Sequence, residues 1–150
     1  MELINIGKQY KLIFDDDILG KYLDYYFKKY PRRHKAPIDS PLHPSINKWF
    51  VMKRPQMNDL KQKWKEFTVW VVKYYGYENL NIQHAKVTYK FYFKTKHRQD
   101  CDNRSPKFVF DGLTEANVIE DDDFKHVNPL LIYGEYDKKH PRMEIIIEQN

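Results

Sequence analysis

The sequence predicts an α+β chain, on three observations. Val87, Tyr89, Phe91 and Phe93 alternate with Thr88, Lys90, Tyr92 and Lys94, the period of a strand with one buried face. Leu60, Trp64, Phe67, Val71 and Tyr74 recur instead at helical spacing, with Gly76 as a fitting stop. Two more strand-like stretches, 126–136 and 142–148, flank the turn-forming run Asp137-Lys138-Lys139-His140-Pro141.

The remaining elements follow in order. Residues 8–14 read as a first strand. Asp15-Asp16-Asp17 then marks a helix start, because acids favour the positive N-terminal end. That helix runs over about 18–30, with Ile18, Leu19, Tyr22, Leu23, Tyr25, Tyr26 and Phe27 on a wide apolar face, and Pro31 stops it. Residues 31–44, rich in proline and charge, read as a long surface loop. Asn58 or Asp59 is the expected cap of the next helix. Ser105-Pro106 reads as an N-cap with proline at the first helical position, and Asn117 as the end of that short helix.

At 150 residues the chain is expected to form one domain that buries roughly two thirds of its unfolded surface. No apolar run is long enough to cross a bilayer, and no basic stretch followed by an apolar one opens the sequence. Cys101 is the single cysteine, which excludes an intramolecular disulfide and a multi-cysteine zinc site. A cytoplasmic, membrane-free protein is expected. The net charge of +5 favours an anionic partner. Lysine and arginine gather in two blocks, 28–35 and 86–98, with tyrosines among them.

Asp100-Cys101-Asp102-Asn103 is the stretch richest in chemistry. If the preceding strand continues extended, Asp100 and Asp102 point the same way. A third acid from Asp121-Asp122-Asp123 would complete a ring of oxygens suited to Mg²⁺ or Mn²⁺. Lys94, Lys96, His97 and Arg98 just before it suit a site that holds a phosphate backbone against metal. A calcium loop is excluded: Arg104 stands where an oxygen ligand belongs and Ser105 replaces the turn glycine. The competing reading is two solvated acidic turns.

The segment 94–122 resembles the RusA family of Holliday-junction endonucleases. The shared pattern is a strand, a basic run, Asp100-Cys101-Asp102-Asn103, Lys107, Phe110-Asp111-Gly112-Leu113 and the acid pair Asp121-Asp122. Pro44-Ser45-Ile46-Asn47 is similar to the family's proline-serine-x-asparagine segment, and the strand 143–148 also has a counterpart. Lys107 lies one residue further from Asn103 than in the family pattern, and residues 1–43 form a divergent N-terminal extension of the domain.

The resemblance implies a small mixed β-sheet packed with helices, in a homodimer that resolves four-way DNA junctions during recombination and repair. Asp100, Asp102 and Asp122 match the family's metal-binding acids, with Asp121 as an alternative to Asp122, and Lys107 matches its essential lysine. Mg²⁺ is the implied cofactor, Mn²⁺ a substitute, and no small-molecule cofactor is expected. Asn103 and Asp111 are assigned supporting roles, Asp111 by orienting Lys107 one helical turn away. Lys94, Lys96, His97 and Arg98, together with Arg32, Arg33 and Lys35, are the expected DNA contacts. Cys101 is expected to face the core as an apolar filler. Flap cleavage and non-catalytic DNA binding are the alternatives.

Overall fold

The first strand grows straight into the first helix, because Asp15 ends one and caps the other. In the computed structural model, which describes residues 8–150, β1 (Gln9–Asp15) hands over at Asp15, whose carboxylate accepts from the Ile18 N–H at 2.9 Å. Helix α1 (Asp16–Lys29) keeps Asp16 and Asp17 at its positive end and Lys28 and Lys29 at its negative end. Ile18, Leu19, Tyr22 and Tyr26 are buried, while Tyr25 stays exposed. Helices α2 (Ile46–Phe50) and α3 (Arg54–Tyr75) follow, then β2 (Ala85–Phe93), α4 (Lys107–Glu115), β3 (Val127–Tyr136) and β4 (Arg142–Gln149).

The four strands form one mixed sheet in the order β1-β4-β2-β3. β4 runs antiparallel to both β1 and β2, and β3 runs parallel to β2. The connection from β3 to β4 therefore passes over the end of β2, where the Asp137 N–H donates to the Phe93 carbonyl at 2.9 Å. Register sorts the side chains by face. Leu12, Ile145, Tyr89 and Ile132 lie in one cross-strand row on the helix side. Phe14 there packs on Trp64 and Phe67 of α3, and Tyr89 packs edge-on to Phe110 of α4. No described helix covers the other face. It is laced with charge pairs, such as Lys11–Glu144 at 3.1 Å and Arg142–Glu144 at 2.6 Å.

Several boundaries differ from expectation for local reasons. Helix α3 begins four residues before Asn58. Lys53 is its extended N-cap and Pro55 presets the first turn, so no side-chain cap is needed. Tyr74, expected in its core stripe, is half exposed; it stacks on Trp70 and accepts from Lys21 Nζ at 3.2 Å. Pro106 rather than Ser105 is the N-cap of α4. The stops at Gly76 (φ 76°) and Asn117 (φ 55°) are as expected, both left-handed.

The loop 31–44 is not wholly on the surface. Ile38 and His43 are buried in it. The Phe108 N–H donates to His43 Nε2 at 3.1 Å, so the ring proton sits on Nδ1, which donates to the Pro44 carbonyl at 2.7 Å. The ring lies between Trp64 and Phe108. Burial pushes its pKa down to about 3, with the neighbouring Arg104 charge acting the same way. No described helix is long and apolar enough to cross a membrane.

Candidate functional site

The chain leaves β2 at Phe93, too early to carry Asp100 and Asp102 on an extended strand. Residues 94–100 run exposed and irregular, and Cys101–Asn103 then close a single 3₁₀ turn. The strand alternation that would turn Cys101 inward is thereby lost, and Cys101 is exposed. Asp100 and Asp102 are exposed too. Asp100 accepts from Arg98 Nε at 3.2 Å, a solvent-facing pair that contributes little to stability.

What fixes this turn is Arg104, a residue whose sequence position speaks only against a calcium loop. Its guanidinium donates to Gln99 Oε1 at 2.7 and 3.2 Å and to the His43 carbonyl at 3.3 Å. It also sits 5.0 Å from the Phe93 ring centre. Half burial lowers its pKa from the usual guanidinium value. No sequence signal marks this role, because Phe93 and the His43 carbonyl come within reach of Arg104 only through the fold.

Asn103 bridges across the chain. Its Oδ1 accepts from the Asn47 N–H at 2.8 Å, satisfying one of the orphan donors in the first turn of α2. Ser45, the N-cap of that helix, accepts from the Lys48 N–H at 3.3 Å. The five-residue α2 thus depends on a side chain 56 positions away. Asn103→Ala is expected to lower stability by about 0.5–1 kcal/mol, the weaker range for a lost cap at an exposed site. Faster hydrogen exchange at the Asn47 amide would register it; unchanged exchange there would refute the bridge.

The acidic run is placed by a small parallel bridge. Ile82 N–H donates to the Val118 carbonyl at 2.9 Å and Glu120 N–H to the Ile82 carbonyl at 3.0 Å. The three aspartates then separate by partner. Asp123 pairs with His126 Nδ1 at 2.6 Å, which holds its carboxyl below the usual range. Asp121 Oδ1 accepts from the Asp122 N–H at 2.8 Å. The Asp122 carboxyl is pushed up by partial burial first, then by Asp121 and by Asp111. Its charge also reaches the buried Tyr89 phenol, which has no hydrogen-bond partner and whose pKa is raised mainly by burial.

Asp111 pairs loosely with Lys61 of α3 at 3.9 Å rather than with Lys107, and its buried Oδ2 makes no hydrogen bond. Lys107 is exposed at the first turn of α4, where the helix dipole disfavours a cation. Lys107 and Asp122 line one cleft of about 650 Å³, together with Ser105 and an apolar floor and rim. Asp100 lines a separate cleft of about 180 Å³, against Ile132, Tyr133 and Gly134 of β3. Strand β3 also borders the first cleft, through Val127 and Leu130. Asp100 and Asp122 thus lie in separate clefts that both border β3, and among the described residues no three His, Cys, Asp or Glu side chains gather into a metal cage.

Lys94, Lys96, His97 and Arg98 are all exposed, with Lys96 Nζ 5.1 Å from the Tyr136 ring centre. Arg32 and Lys35 are exposed as well, and Arg33 lies 3.9 Å over the Tyr30 ring while donating to the Tyr26 hydroxyl at 2.8 Å. None of Arg32, Arg33 and Lys35 lines the cleft of Lys107 and Asp122. Compared with known proteins, the chain matches no protein-family model and no curated protein.

Proposed function

We propose that this chain is a RusA-like, metal-dependent endodeoxyribonuclease that cuts four-way DNA junctions as a homodimer. The observation that carries the reading is the Asn103–Asn47 hydrogen bond at 2.8 Å. It joins Pro44-Ser45-Ile46-Asn47 to Asp100-Cys101-Asp102-Asn103, two motif pieces that the sequence offered only in order. Ile46 of the first piece lines the same cleft as Lys107 and Asp122.

The donor set suits a hard divalent ion. All candidate ligands are carboxylates, the Asp122 carboxyl is pushed up by burial and by Asp121 and Asp111, and Asp111 Oδ2 makes no hydrogen bond, only the loose pair with Lys61. A nearby cation would relieve that repulsion. Asp100, Asp102 and Asp122, with Asp121 beside Asp122, would hold Mg²⁺ or Mn²⁺ once the exposed turn 100–103 moves toward Asp122, since Asp100 and Asp122 line separate clefts in this structure. Such an ion, when bound, supplies a more acidic water and neutralises charge on the phosphate. Lys107 adds fixed positive charge at the mouth of the cleft, where the dipole of α4 acts in the same direction. Arg104 and Asn103 hold the acidic turn in place. Lys94, Lys96, His97 and Arg98 take neighbouring phosphates. Cutting two opposed strands needs two such sites, hence two copies.

The test is a synthetic immobile junction incubated with Mg²⁺, Mn²⁺ or EDTA, beside duplex and flap controls. Paired nicks on opposite junction strands that require metal are expected. Asp102→Asn should slow them at least about a hundredfold, the scale on which a group stabilising transition-state charge acts. A wild-type rate in that variant would sink the mechanism. Binding without cleavage would favour a non-catalytic junction binder, and cutting confined to flaps a different substrate.

A further inference from the structure

Two partly buried guanidinium groups in this fold are treated in opposite ways. Arg142 donates to Asp137 at 2.9 Å and to Glu144 at 2.6 Å, so two carboxylates answer its charge. Arg104 is half buried too, yet its bonds go only to neutral oxygens, Gln99 Oε1 and the His43 carbonyl. Burial lowers its pKa with no nearby acid to offset the effect. A desolvated cation without a counter-charge is costly, and an anionic ligand would relieve it.

Arg104 also lines a cavity of about 280 Å³ where the loop 31–44 meets α2 and α3. Lys48, a second cation in that lining, makes no ion pair among the described residues. Two hydroxyls join them. Ser40 Oγ accepts from the Leu42 N–H and Ser45 Oγ from the Lys48 N–H, both at 3.3 Å, so each hydroxyl keeps its proton to donate. Asp39 is the one carboxylate in the lining; it is exposed and pairs with neither cation.

We propose that this cavity binds a phosphate group, with Arg104 and Lys48 as its cations and the Ser40 and Ser45 hydroxyls as further donors. Three of the five guanidinium N–H groups are occupied, which leaves two for the ligand. A tetrahedral oxyanion can accept at once from the donors that the turn at 104, α2 and the loop supply. At about 30 Å³ for each water, the cavity has room for a phosphate and several waters. The phosphate site stands on the cavity alone, and its assignment to the DNA backbone rests on the nuclease reading above. On that reading the cavity takes a phosphate flanking the one that is cut. Arg104 borders the cleft of Asp100 as well, so it ties the acidic turn to the bound strand.

The test titrates inorganic phosphate into the whole protein in metal-free buffer, against chloride at equal ionic strength. The Arg104 Nε–H and Lys48 amide resonances are followed by NMR. Saturable shifts with phosphate alone are expected. Lys48→Gln should weaken binding about two- to fivefold and Asp39→Asn should tighten it by a similar factor, the scale of one exposed charge. Both residues are exposed, so both variants should fold, and circular dichroism verifies that. Shifts that never saturate, shifts that chloride reproduces, or a phosphate affinity that both variants leave unchanged would overturn the proposal. A second arm measures binding to a four-way junction, again without metal. Lys48→Gln should reduce the slope of log affinity against log salt by about 0.9, the share of one backbone phosphate. An unchanged slope beside intact inorganic phosphate binding overturns the assignment to DNA and makes free phosphate the source. Both expected results in a protein that never cuts a junction uphold the site and remove the nuclease reading instead.

Discussion

Lowering the pH from 7 to 4.5 is expected to remove about 2–3 kcal/mol of this protein's stability through His43 alone. The pKa of that imidazole is about 3 in the folded chain, against about 6.5 when unfolded. Between those values the unfolded state takes up the proton first. The stability is therefore fully present above pH 6.5 and drains away as pH falls toward 3. The structural cause is specific. Both ring nitrogens are committed, one accepting from the Phe108 N–H and the other donating to the Pro44 carbonyl. A second ring proton would face a backbone donor, with Arg104 close by. The Asp122 carboxyl, itself pushed up, moves toward this window, so the share of His43 is read by comparison with a variant that lacks the imidazole. Urea unfolding at pH 7 and 4.5 measures the difference. His43→Gln should lower stability at pH 7 by about 1–2 kcal/mol for the lost buried hydrogen bond and flatten the pH slope. An equally steep slope in the variant would place the titration elsewhere.

Gly112→Ala should be the most damaging single methyl group in the chain. A Cβ there would lie 2.5 Å from Thr68 Cβ, 2.7 Å from Thr68 Cγ2 and 3.1 Å from the Lys65 carbonyl oxygen. Helices α3 and α4 meet at this point, so one must move off the other. Overpacking of this kind typically lowers stability by about 1–3 kcal/mol. Alanine's better helix propensity returns about 1 kcal/mol of that. A net loss toward the upper end of the remaining range, up to about 2 kcal/mol, is expected, because a side-chain rotation cannot relieve a contact with Cβ and backbone. Thr68→Ala should not rescue it, since the offending Cβ remains. Full rescue in that double variant would mean that only the threonine methyl was in the way. On the nuclease reading proposed above, junction cutting should fall as well, because α4 carries Lys107.

The parts of this fold legible in the sequence are those decided by neighbours a few positions away. Gly76 and Asn117 end helices because a left-handed residue is needed there. Asp15 starts α1 because its own carboxylate reaches Ile18. The alternation in β2 reports one covered and one open face. What stayed hidden is set by distant partners. His43 looks like a loop residue until Phe108, 65 positions on, donates to it. The first turn of the short α2 takes one of its hydrogen bonds from Asn103, 56 positions away. The acidic turn departs from the extended form its sequence suggests because Arg104, not strand pairing, shapes it. Of the candidate site, Lys107 and Asp122 do share a cleft. The aromatic rim escaped notice because Phe50 and Phe124 lie outside any periodic pattern.

The position of β4 also dictates an order of assembly. β1 touches the rest of the sheet only through β4, which is synthesised after every other described strand. A nascent chain that has emerged only as far as the turn at 137–141 can pair β2 with β3, but β1 must wait with its edge unsatisfied. Contacts between the opening and closing strands span about the whole described chain, from Gln9 to Glu148. Such long-range closure slows folding, because the entropy of a very large loop is lost before any pairing energy is recovered. Until Arg142–Gln149 arrives, the edges of β1 and β2 that pair with it leave their backbone N–H and C=O groups without strand partners. The ribosome-bound intermediate, rather than the finished protein, is therefore the species most prone to aggregate.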